Sequence, residues 1–282
     1  MVIVMARPEM VKNYLETLDL HNRELDFSFL EDIVARHVAT FAFSSLGVQL
    51  NENLPLEFKS LYQRIIIQRR GGYCFEHNGL LFGILEELGF FPELFLARVI
   101  HNKDIHPGLT HRITIVEIEG RRYVLDVGFG VDGPRIPVPM SGVASSDGER
   151  VFRIAERRPG EYHMQVFRSS EFFSLYRFEL ALYGQSDCEI GHFYSHRHPD
   201  AIFVNHLVAS LLLKSETRSL LGLEYRLISN SGTQSQNINS SEQLKCILVD
   251  ELGVQVTDNE SRRLFEKTLA QSLRLHEQSE SP

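Results

Sequence analysis

The chain is 282 residues long, 43% hydrophobic and 23% charged, with a formal net charge of −8. That composition describes a globular protein large enough for two or three sub-domains, and its acidic balance, with no basic block to offset it, argues against a nucleic-acid partner. No apolar run approaches the ~20 residues that span a bilayer, which argues against a membrane protein. Met1 to Ala6 is too short for a signal-peptide core and lacks a basic start. The three cysteines, Cys74, Cys188 and Cys246, are odd in number and sparse, which reads as free thiols in a cytoplasmic compartment.

Residues 1–90 read as helical. Met10, Tyr14, Leu15 and Leu18 make a first amphipathic segment. Ser28 and Glu31 form a capping box ahead of Ile33, Val34, Val38 and Phe41. Pro55 suits the first turn of a helix running to about Gln68. Gly71 and Gly72 then break the chain before Cys74, and Leu80, Leu81, Ile84, Leu85 and Leu88 carry a helix that ends at Gly89.

Across 91–185 the period changes to two. Leu94 to Ile100, His111 to Ile118, Arg121 to Gly128, Val151 to Ile154 and Glu161 to Phe167 read as strands, with a Pro/Gly/Ser-rich stretch from Gly130 to Gly148. This is the pattern of an antiparallel sheet or small barrel. Residues 186–282 mix types. Ala201 to Leu213 and Gly222 to Ile228 read as strands, Ser229 to Ser241 as a polar loop, and Leu244 to Leu252 as a short helix. A last helix is capped by Thr257 and Glu260. The fold class is α+β.

Cys74 sits on the first turn of its helix, where unpaired backbone N–H groups and the positive end of the dipole stabilise a thiolate. A buried cysteine that merely packs is the alternative. The hairpin bears on the choice. With Glu119 and Gly120 as a two-residue turn, Ile118 pairs with Arg121, Ile113 with Asp126 and His111 with Gly128. His111 and Asp126 then share a face as diagonal neighbours, about 7–8 Å apart at Cα. A carboxylate on the apolar strand Tyr123 to Val127 needs a partner, and His111 is the obvious one. A core His–Asp pair without chemistry is the alternative, and a three-residue turn would flip the parity. Together Cys74, His111 and Asp126 carry the chemistry of an activated thiol: the imidazole takes the thiol proton and the carboxylate orients the imidazole.

Two other patterns are set aside. Gly128 to Gly133 matches G-x-G-x-x-G, but Pro134, Pro137 and Pro139 forbid the helix that would hold a pyrophosphate. Cys188, His192, His196 and His198 fit no common zinc spacing and read as a His-rich loop; no metal is expected.

Arg70-Gly-Gly-Tyr-Cys-Phe-Glu-His-Asn78, Thr110-His111, Asp126-Val-Gly-Phe-Gly130 and His198-Pro-Asp-Ala-Ile-Phe-Val-Asn205 together resemble the arylamine N-acetyltransferases over nearly the whole chain. The resemblance implies an N-terminal helical bundle carrying Cys74, a central β-barrel carrying His111 and Asp126, and a C-terminal α/β lid. It implies acetyl-CoA as co-substrate, a ping-pong reaction through acetylated Cys74, and an aromatic amine or hydrazine as acceptor. Phe129, Phe43 and Val99 would line the acceptor site, and Thr110, Gly128, Phe129 and Gly130 would lie near the CoA arm. One motif departs: members usually carry Pro-Phe-Glu-Asn-Leu where this chain has Ala42-Phe43-Ser44-Ser45-Leu46. The usual glutamate would pair with Arg70, so Arg70 must find another carboxylate, with Glu76 a candidate, or stay partly solvated. An amide synthase acting on a carrier-bound polyketide thioester is the runner-up within the fold. A thiol peptidase, a transglutaminase-like enzyme and a non-catalytic binding protein are the readings outside it.

Overall fold

In the computed structural model, which describes residues 5–21 and 23–279, helices come first. Helix α1 (Arg7–Thr17) and α2 (Phe27–Thr40) pack on α5 (Cys74–Leu88) through Tyr14, Phe29, Ile33, Leu81 and Ile84, all fully buried. Between them lie the two-residue strand β1 (Phe43–Ser44) and short helices α3 (Leu46–Gln49) and α4 (Phe58–Tyr62), the last running into a wider turn over Gln63–Ile67. The cap of α2 differs from the one expected. Asp26, not Ser28, takes the Phe29 N–H, at 2.7 Å, so the helix starts one residue before Ser28. A carboxylate there also favours the helix dipole, so it outcompetes the hydroxyl.

The middle third is an eight-stranded antiparallel sheet that curls into a nearly closed barrel. Its strands are β2 (Pro92–Val99), β3 (His111–Ile118), β4 (Arg121–Leu125), β5 (Val138–Pro139), β6 (Ser145–Ser146), β7 (Val151–Arg158), β8 (Glu161–Arg168) and β9 (Glu171–Glu179). Their order is β5-β4-β3-β2-β9-β8-β7-β6. The hairpin forms in the expected register, with Ile118 opposite Arg121 and Thr114 opposite Leu125. Glu119 and Gly120, at φ 52° and 69°, make the left-handed pair that a two-residue hairpin turn requires. The interior is filled by Phe95, Ile113, Ile115, Val124, Phe152 and Met164.

The last third places α6 (Gln185–Arg197) and α7 (Ile202–Asn205) before a second antiparallel sheet. That sheet comprises β10 (Val208–Leu212), β11 (Glu216–Leu221), β12 (Glu224–Ser229) and β13 (Gly232–Asn237), in the order β1-β10-β11-β12-β13. Helices α8 (Ser241–Cys246) and α9 (Asp258–Ser279) close the chain. Three expectations fail here. The strand expected over Ala201 to Leu213 is split, because α7 occupies its first residues. The polar loop expected over Ser229 to Ser241 holds β13, exposed on both faces and paired along β12, so no apolar alternation marks it. The His-rich stretch is helix, not loop: small and polar residues Cys188, Gly191, His192 and Ser195 carry its buried face while Ile190 and Phe193 point outward. Among the described residues no helix is long and apolar enough to cross a membrane.

Candidate active site

The position of Cys74 is built by backbone geometry. Gly71, at φ +66°, turns the chain where a Cβ would come within 2.6 Å of the Ala42 carbonyl oxygen. The Glu76 carboxylate accepts the Tyr73 N–H at 3.0 Å, capping the first turn of α5, and Cys74 stands as its first residue. Its thiol lies 3.5 Å from the Thr110 carbonyl oxygen and beside His111. Among the described residues no acceptor takes the backbone N–H of Cys74 or Phe75.

His111 and Asp126, both buried, meet from the two arms of the hairpin. His111 Nε2 is 2.7 Å from Asp126 Oδ2, leaving Nδ1 as the nitrogen that faces Cys74. The other carboxylate oxygen, Oδ1, accepts the Asn78 side-chain amide at 2.9 Å and the Gly128 N–H at 3.0 Å. Asn78 also donates to the Arg112 carbonyl at 2.6 Å and accepts the Val127 N–H at 3.0 Å, so one side chain ties α5 to both strands of the hairpin. Burial works against charge on His111, but the Asp126 carboxylate, by charge and hydrogen bond, and Cys74 outweigh it and raise its pKa to about 10. Burial likewise opposes ionisation of Asp126, and the His111 charge with the hydrogen bonds from His111, Asn78 and Gly128 hold it below its usual range.

A largely apolar cavity of about 360 Å³ opens over Cys74. Of the residues singled out from the sequence, Phe43, Cys74, Val99, Thr110, His111, Gly128, Phe129 and Gly130 all line it, and Asp126 lies behind His111. Gly128 is dictated by packing: a Cβ there would lie 2.7 Å from the Cys74 Cα. The Phe129 ring stands edge-on to His111 at 5.2 Å. Sequence reasoning missed Asn78 and Tyr176. Asn78 was findable, one turn after Cys74 on the same helix face. Tyr176 is buried with its ring 4.8 Å from His111 and its phenol beside Asp126. It reaches them only because β9 pairs with β2, Tyr176 opposite Val99. The far wall, with Tyr194, Phe203 and Val208, comes from the last third of the chain.

The neighbourhood corrects one further expectation. Arg70 does not pair with Glu76; it pairs with Glu52 and, at 2.8 Å, with Glu260, and it donates to the Gln255 carbonyl at 2.8 Å. Glu76 instead meets Arg64 at 2.9 Å. Ser44 turns its hydroxyl to the Leu46 N–H at 3.1 Å. Of the histidines of α6, His192 has both ring nitrogens engaged within the protein. The His192 ring stacks on Tyr73 at 5.5 Å, takes the Tyr73 hydroxyl at 2.5 Å on Nδ1 and donates from Nε2 to the Leu54 carbonyl at 2.7 Å.

A cysteine at a helix N-terminus, a charged imidazole beside it and a buried carboxylate behind that make the arrangement of a thiol-dependent acyl-transfer enzyme. The family model described as N-acetyltransferase matches residues 26–261. The arylamine N-acetyltransferase of Escherichia coli K12 is 30% identical over 79% of this chain and 80% of its own length. The solved arylamine N-acetyltransferase of Mycobacterium marinum superposes with a TM-score of 0.85 at 25% identity, covering 92% of this chain and 99% of that one. A structure of the M. marinum enzyme in complex with CoA shares the fold, with a TM-score of 0.85 at 24% identity over 91% of this chain and 98% of that one. The chain belongs to the arylamine N-acetyltransferase family, and is an acyltransferase.

Proposed function

We propose that the protein transfers the acetyl group of acetyl-CoA to the nitrogen of an aromatic amine or hydrazine, in two steps through acetylated Cys74. The observation that carries this reading is the line Cys74–His111–Asp126 at the floor of the apolar cavity. In the first step the Cys74 thiolate attacks the thioester carbonyl, the C–S bond to CoA breaks, and His111 gives its proton to the departing CoA sulfur. The developing oxyanion would be met by the free N–H groups at the start of α5. In the second step the neutral amine attacks the acetyl-cysteine and His111 receives the amine proton as the Cys74 thiolate leaves. Asp126 keeps the imidazole oriented throughout.

Phe43, Val99 and Phe129 are assigned to holding the aromatic acceptor, and Thr110, Gly128, Phe129 and Gly130 to the thiol end of CoA. The functional division of the chain is 1–90 for the nucleophile, 91–185 for the base and its carboxylate and 186–282 for the lid, with apolar packing running across these bounds: one core joins Tyr14, Phe29 and Leu81 to Leu125 and Leu212, and another joins Leu46 to Leu220 and Leu248. The test is initial-rate kinetics with acetyl-CoA and an arylamine varied together. Parallel double-reciprocal lines are expected, and intersecting lines would show direct transfer within a ternary complex.

A further inference from the structure

Arg112 follows His111 on β3 and therefore faces away from the acetyl-transfer cavity. Only 4% of it is exposed, and its Nε is completely covered. Among the described residues no carboxylate lies within ion-pair reach of its guanidinium and no acceptor takes its N–H groups. Buried Arg135, by contrast, has Asp147, Thr217 and two carbonyls, and the half-buried Arg64 and Arg70 have ion-pair partners in Glu52 with Glu76 and in Glu52 with Glu260. A guanidinium kept in place without a partner is costly, and burial already pulls its pKa down. It is held there by packing, over the Phe82 ring at 5.2 Å and against Gly79, where a Cβ would lie 3.2 Å from Nη1.

Arg112 lines a cavity of about 630 Å³ whose other walls include Leu54, Phe58, Phe82, Leu94 and Tyr183. It shares no lining residue with the cavity over Cys74. The acids at its rim are Glu57, Glu86 and Glu189; Glu86 is bound to Arg7 at 2.9 Å, while Glu57 and Glu189 are exposed. We propose that this cavity is a second ligand site, taking a small aromatic carboxylate whose anion is gripped by Arg112. One guanidinium matches one carboxylate in charge and in its planar, two-pronged geometry, and the aromatic walls suit a flat apolar body. The ligand is not a substrate of the acetyl transfer, since neither Cys74 nor His111 borders the cavity.

Benzoate, which has no amine to acetylate, is the probe. Titrated into the full-length protein, it is expected to move the Arg112 Nε–H resonance, identified by its absence from Arg112→Met, and to bind at least tenfold more weakly to that variant. Arg112→Met should melt no lower than the parent without benzoate, because an apolar side chain replaces an unpaired charge. Glu189→Lys, a surface change, should tighten benzoate binding several-fold at low salt. Equal benzoate affinity in parent and Arg112→Met, an unmoved Nε–H resonance, or no effect of Glu189→Lys would overturn the proposal. So would benzoate that only shields Cys74 from iodoacetamide, since it would then occupy the other cavity.

Discussion

At the scale of single residues, the proposed mechanism turns on His111, whose charge state is set by what surrounds it. Its pKa of about 10 lies above the ordinary 6.5, so its stabilising contribution is complete below pH 6.5 and is lost as the pH rises through about 10. Asp126 is shifted the other way, so its contribution is present above its ordinary value and lost as the pH falls through its lowered one. The ion pair therefore stands across the neutral range. Asp126→Asn removes the charge but not the shape, and the amide can hold the wrong imidazole tautomer. We expect kcat to fall by roughly 10³- to 10⁴-fold with folding retained, read from steady-state rates and circular dichroism. His111 and Asp126 were legible in the sequence because a two-residue turn fixes a local register. Tyr176 was not, because its place beside them depends on a pairing between strands far apart in the chain.

At the scale of elements, α1, α2 and α5 are joined by a buried hydrogen-bond chain. The Tyr14 hydroxyl donates to His37 Nδ1 at 2.9 Å, His37 Nε2–H donates to His77 Nδ1 at 2.9 Å, and His77 Nε2–H donates to the Ala42 carbonyl at 3.0 Å. The terminal carbonyl can only accept, so His77 Nε2–H donates to it; with both rings neutral, as burial keeps them, the remaining donors along the chain follow. Burial pushes His77 down to about 4 and His37 well below its ordinary value. Groups so depressed stabilise the fold above pH 6.5 and lose that contribution as the pH falls toward 4. His77 alone accounts for about 3 kcal/mol across that interval. Melting temperature should drop steeply from pH 6.5 to 4 in the parent, and His77→Gln should flatten that dependence; parallel curves would remove the role given to this chain. Helices with apolar periods, such as α5, were readable. Helix α6 was not, because Cys188, Gly191, His192 and Ser195 face inward while Ile190 and Phe193 face solvent.

Across the whole molecule, Arg70 joins the turn before Cys74 to the C-terminal part of the chain through Glu260 and the Gln255 carbonyl, and to the α3–α4 connection through Glu52. The glutamate usual in the family motif is Ser44 here, and the carboxylates come from elsewhere. Arg70→Met should lower stability by roughly 2 kcal/mol, the range for hydrogen bonds to a charged group, read as a shift in the urea midpoint. An unchanged midpoint would show the pairing to be dispensable. The change from helix to strand after Leu88 followed from where the apolar period changes. The order of strands and the pairing of β1 with β10 could not, since nothing local encodes contacts between chain segments so far apart.

The central claim is that Cys74 carries the acetyl group between donor and acceptor. Intact-mass measurement of the protein mixed with acetyl-CoA, and no amine, tests it most directly. The account predicts the gain of one acetyl group that maps to Cys74, is absent from Cys74→Ser, and disappears when an aromatic amine is added. An unmodified mass in a preparation that still acetylates arylamines would contradict it.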